Sequence, residues 1–163
     1  MANATGRRRG RQLPRTEELM VWREFIETVD ALRSEIASRL LAETSLSPGD
    51  YSVLLALSEA PGQRMRSSEL AAAIAWERSR LSHHLGRMER RRLIRRDECA
   101  TDSRGAEVVL TTTGATAFHS ATVPHLRAVR ELFVDAFAPH QLDAAKTVAA
   151  ALRAHQRNRA TSG

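Results

Sequence analysis

Along residues 67–110 the spacing of apolar side chains changes period, and that change limits what the chain can fold into more than any other feature. Up to about residue 91 they recur at intervals of three and four, as on helices. Ile94–Glu98 and Ala106–Leu110 read instead as short strands. The intervening Cys99-Ala-Thr-Asp-Ser-Arg-Gly105 carries the polar and glycine signals of a hairpin tip. Upstream, Ser67 and Ser68 read as the cap of a short helix over 69–74, whose Leu70, Ala71, Ala73 and Ile74 are small enough for another helix to pack closely. After Ala75-Trp76-Glu77, a further helix is expected over 78–91. Leu81, Leu85 and Met88 would face inward, and Arg80, His83, Arg87 and Arg91 largely outward.

Longer helices flank this stretch. Thr16 is a candidate N-cap, with Glu17 and Glu18 in the first turn, and Leu19, Trp22, Ile26, Val29, Leu32, Ile36 and Leu40 form one stripe over 16–43. A helix so long exceeds what a small monomer needs, so part of the stripe is expected to meet a partner chain. Ser47, Pro48 and Asp50 open a helix over Pro48–Glu59, which Pro61-Gly62 stops. Thr111 or Thr112 caps a helix to about residue 137, with a kink expected near Val123 from Pro124. Ala138-Pro139 opens a last helix through 155. The expected class is mainly α with a small β-wing, in three stretches: a flexible basic arm over 1–15, one body over 16–155, and a frayed tail over 156–163.

Composition narrows the classes. With 42% hydrophobic and 27% charged residues in 163, the chain is globular. Its longest apolar run, residues 70–76, is far short of the roughly 20 needed to span a bilayer, and the basic N-terminus leads into no apolar stretch. The single cysteine, Cys99, allows no internal disulfide. A cytoplasmic protein with no membrane role is expected.

Of the net charge of +6, the first fifteen residues carry +5, through Arg7, Arg8, Arg9, Arg11 and Arg15. Residues 77–104 hold nine arginines against five acids, a candidate phosphate-facing patch. The bland alternative is a solvated charged face on an Ala- and Arg-rich chain.

Two helices joined by a tight turn and followed by a ribbon form a helix-turn-helix with a wing. A helix about 10 Å across fits a major groove roughly 12 Å wide. The second helix carries Ser79, Arg80, Ser82, His83, His84 and Arg87, with base reading assigned chiefly to Arg80, His83 and His84; Ser67, Arg78, Arg95 and Arg96 are assigned to phosphates. Duplex DNA is the expected partner. RNA or an acidic protein on the same basic face is the alternative.

Adjacent His83 and His84 diverge by about 100° on a helix, His119 and His125 are six apart, and no His-Glu-x-x-His occurs, so no metal site is expected. No glycine-rich phosphate loop or nucleophile elbow appears, and neither a cofactor nor catalysis is expected. Trp22, Phe25, Ile26 and Tyr51 can line a cleft for a small aromatic or carboxylate effector, with Arg23 as counter-ion. Plain packing is the competing reading, and the favoured one for Phe25 and Ile26.

Leu70-Ala71, Ser79-Arg-Leu-Ser-His-His-Leu-Gly-Arg-Met-Glu89, Leu93-Ile94, Asp102-Ser-Arg-Gly105 and Leu110-Thr-Thr-Thr-Gly114, in this order and spacing, resemble the MarR family of winged-helix transcriptional regulators. The resemblance covers residues 16–155. It implies a homodimer whose first and last two helices interlock (16–43 and 112–155), one winged module per half-site (47–110), and a ligand cleft between these parts. It also implies that Arg104 reaches the minor groove, oriented by Asp102, and that an effector releases a repressor from a near-palindromic operator. Some members sense oxidants with a first-helix cysteine. No cysteine lies in 16–43, so Cys99 reads as a passive thiol. Arg92 departs from the family's usual glycine, at a cost of about 1 kcal/mol if its backbone is left-handed.

Overall fold

The structure, a computed structural model, describes residues 13–98 and 106–161. Cys99, Asp102, Arg104, most of the basic arm and the last two residues lie outside the described residues. The elements are α1 (Thr16–Thr44), α2 (Pro48–Glu59), β1 (Arg64–Arg66), α3 (Ser67–Ala73), α4 (Arg78–Arg90), β2 (Ile94–Glu98), β3 (Ala106–Leu110), α5 (Thr112–Leu132) and α6 (Pro139–Ala160). The chain divides into two compact units within α1, between Ser34 and Glu35.

The core of the second unit gathers Val53, Leu54 and Leu57 of α2, Leu70 of α3, Leu81, Leu85 and Met88 of α4, Ile94 of β2 and Val108 of β3. Each contributes roughly 1.5–3 kcal/mol by leaving water. The outer helices differ: α1 buries Leu40 alone, and α6 buries no side chain.

The sheet is antiparallel in the order β1-β3-β2, with Ile94 opposite Leu110 and Met65 opposite Val108. Strand β1 was not expected: it has three residues, Arg-Met-Arg, too few to show an alternating pattern in sequence. Three helix ends turn through left-handed residues that are not glycine, Ser45 (φ 58), Ala75 (φ 54) and Arg92 (φ 59). After α3 the Trp76 amide bonds Ala71 O at 2.9 Å, and after α4 the Leu93 amide bonds Met88 O at 3.0 Å. These closures satisfy carbonyls that a helix end leaves open.

Several boundaries move. Ser67 does not cap α3 but begins it, and its hydroxyl donates to Ala106 O at 2.9 Å, fastening the helix start to β3. The helix from Thr112 passes Pro124 and ends at Leu132 rather than 137; a turn over Val134–Ala136 follows, closed by the Phe133 and Phe137 rings 5.1 Å apart. The last helix continues past 155 to Ala160, so the frayed tail expected from 156 is helical there. Of the two threonines, Thr111 is the cap: its hydroxyl accepts from the Gly114 amide at 2.9 Å and donates to the Arg92 and Leu93 carbonyls. A Cβ on Gly114 would stand 1.9 Å from Leu93 O, so only glycine lets α5 approach the backbone just before β2 this closely.

Candidate nucleic-acid interface

Helix α4 divides cleanly. Leu81, His84, Leu85 and Met88 are buried, while Arg78, Ser79, Arg80, Ser82, His83 and Arg87 are exposed. Intervals of three and four put the apolar set on one stripe, and burial of that stripe leaves a polar, cationic face outward. No carboxylate among the described residues pairs with Arg78, Arg80 or Arg87.

His84, expected to read bases, is corrected by the structure. It is 7% exposed and points away from the helix's polar face, so its ring cannot reach a base edge. Its Nε2 lies 3.0 Å from Asp50 Oδ1, and its Nδ1 lies 2.8 Å from an Arg87 guanidinium nitrogen. A guanidinium only donates, so Nδ1 accepts from Arg87, while Nε2 sits close to the Asp50 carboxylate without an aligned hydrogen bond to it. The spacing Leu81, His84, Met88 already places this histidine on the buried stripe, and that was the sequence signal available for it.

Asp50 joins α2 to α4. It completes the capping box with Ser47, each residue's amide bonding the other's side chain, and it takes the Arg91 guanidinium at 2.7 Å. Arg91 also donates to Ser45 O, so this arginine, read as outward, ties down the end of α4. Burial alone would raise the Asp50 pKa. His84, the Ser47 amide, Arg91 and the Ser47 hydroxyl outweigh it and hold the carboxyl well below the usual range.

A short helix, a left-handed turn, a helix with a buried stripe and polar outer face, and an antiparallel ribbon form a winged helix-turn-helix. The model of the MarR family matches residues 44–105. Among solved structures, AbsC, a MarR family transcriptional regulator from Streptomyces coelicolor, is 34% identical, with a TM-score of 0.82 over 90% of this chain and 99% of that one. Sco3205 from the same organism, solved in complex with DNA, is 30% identical, with a TM-score of 0.82 over 87% of this chain and 89% of that one. The chain belongs to the MarR family of transcriptional regulators. The RdhR-CbdbA1625 regulator in its 2,4-dichlorophenol-bound form shares the fold at 18% identity, with a TM-score of 0.76 over 88% of this chain and 86% of that one. No curated protein matches the chain in sequence.

In this MarR-family chain the arginines at the wing root are engaged with acids. Arg95 donates to both carboxylate oxygens of Asp97, at 2.9 and 3.2 Å from Nε. Arg96 binds Glu89 through its amide at 3.0 Å and its guanidinium at 2.6 Å. The guanidinium hydrogen bonds push both acids' pKa values down. The five residues read as a possible ligand cleft are placed differently from one another. Tyr51 is buried in the second unit beside Phe118 and His125, with ring centroids at 5.2 and 4.3 Å. Trp22, Arg23, Phe25 and Ile26 belong to the first unit and are exposed, Trp22 at 61%. The described residues hold no group of three metal-ligating side chains and no helix long and apolar enough to cross a membrane.

Proposed function

We propose that the protein is a homodimeric repressor, acting in the cytoplasm, that binds a near-palindromic operator through α4 and leaves it when a small aromatic or carboxylate effector binds. The carrying observation is the polar face of α4, where Arg78, Ser79, Arg80, Ser82, His83 and Arg87 stand exposed above a buried apolar stripe. Arg80 and His83 would meet base edges; Arg78 and Arg87 would meet phosphates or bases, and Ser67, Arg95 and Arg96 the flanking backbone. Arg104, oriented by Asp102, would enter the minor groove, and the arginine arm over 1–15 would add contacts indifferent to sequence. Residues 47–110 would form the winged module, and 16–43 with 112–155 the dimerisation region. What supports pairing is apolar surface left in water: Val148 and Leu152 of α6 are 48% and 51% exposed, and Val123 and Leu126 of α5 are 62% and 57% exposed. An effector would act through its difference in affinity for two spacings of the paired modules, with Trp22 and Arg23 as candidate contacts.

The test is a gel shift on the DNA upstream of the chain's own gene, at several salt concentrations, with sedimentation of the protein alone. A dimer that retards this DNA and ignores scrambled competitor carries the reading. Salt-sensitive binding to any polyanion, RNA included, overturns it in favour of a basic module without operator specificity.

A further inference from the structure

We propose that Trp76 is a positioning residue for operator recognition, presenting Arg80 from a fixed aromatic platform. This rests on the reading of Arg80 as a base contact. Trp76 stands in the turn between α3 and α4, two residues before α4 begins. The Arg80 guanidinium carbon lies over its ring, 4.2 Å from the centroid. A guanidinium that stacks on a ring engages it by its face and keeps its in-plane N–H donors for other partners, so one arginine can rest on the ring and still fork onto guanine O6 and N7. An arginine side chain otherwise carries considerable rotamer entropy, part of which is lost when it docks. A platform that restricts it beforehand lessens that loss.

The platform itself is held. The His84 ring meets the indole edge-on, at 5.1 Å and 87°. Beneath it runs the first turn of α2, where a Cβ added to Gly49 would come within 2.7 Å of the indole and 3.0 Å of His84. The left-handed Ala75 turns the chain just before Trp76, and the Trp76 amide is bonded to Ala71 O at 2.9 Å. Position and tilt of the ring are therefore set from three sides.

The experiment compares operator affinity, by fluorescence anisotropy, of the full-length wild type, Trp76→Leu, Trp76→Phe, Arg80→Ala and the Trp76→Leu, Arg80→Ala pair, with thermal melts to confirm folding. Trp76→Leu is expected to weaken binding about tenfold, and Trp76→Phe, which keeps an aromatic face, no more than about threefold. On the Arg80→Ala background the Trp76→Leu loss should shrink to less than about twofold, because the group it positions is gone. A loss of undiminished size on that background, or no loss in Trp76→Leu, overturns the proposal. A second measurement needs no DNA and no leucine variant. The Arg80 δ-methylene protons of the wild type should be shifted upfield by the ring, and an unshifted signal overturns the platform. Upfield-shifted protons with full operator binding by Arg80→Ala would instead refute Arg80 as a base contact.

Discussion

Two groups of arginines lie within twenty residues of each other and differ in what holds them. On α4, Arg80 lies over Trp76 and Arg87 bonds His84, and neither meets a carboxylate among the described residues. At the wing root, Arg95 and Arg96 are each taken up by an acid, Asp97 and Glu89. Residues 77–104 look like one basic patch when charges are counted along the chain. In three dimensions the strand arginines each bond an acid, while Arg80 lies over an indole and Arg87 bonds an imidazole, with no carboxylate among the described residues paired to either. Local charge sums therefore misjudge where a phosphate would be drawn.

The contrast can be broken from the α4 side first. Asp50→Asn should cost about 3 kcal/mol at neutral pH, because His84 and Arg91 lose a buried partner; urea unfolding measures it. The Asp50 pKa is depressed in the folded state, so its stabilisation is fully present above the ordinary carboxylate range and is lost progressively as pH falls from there toward the depressed folded value. The gap between wild type and variant should therefore narrow below about pH 4, and a constant gap between pH 7 and pH 3 would detach Asp50 from the network.

Arg87→Ala should weaken operator binding by about 1–3 kcal/mol with little change in melting temperature; equal binding would remove this arginine from the interface. At the turn into the wing, Arg92→Gly should raise stability by up to about 1 kcal/mol, since glycine adopts the left-handed geometry that Arg92 now bears. A destabilised variant would show that the arginine side chain compensates for its backbone. Arg95→Ala should change operator affinity least, by about 0.5 kcal/mol or less, its charge being already matched by Asp97. A loss as large as that of Arg87→Ala would erase the distinction between the two groups.

The elements best read from sequence were those with local stop and start signals. Ser47 with Asp50, and Pro61-Gly62, set the bounds of α2, and both long wing strands were placed because their residues carried the change of period. Strand β1 escaped because three residues pair only by virtue of β3 beside them. Asp50 was legible as an answer to Ser47, but its hold on His84 and Arg91 joins residues 34 and 41 positions away and has no local signature. His84 was misjudged because adjacent to His83 it shares residue type but not helix face.

The sequence by itself determined the order of the helices and of the two long wing strands, the apolar stripe of Leu81, Leu85 and Met88 on α4, and the family, since period, caps and motif spacing act between near neighbours in the chain. Only the tertiary structure decided which polar groups are spent inside. The partners of His84, Trp76, Arg95 and Arg96 depend on which side chain is brought within about 3–4 Å of which charge or ring, a matter of packing rather than of order along the chain.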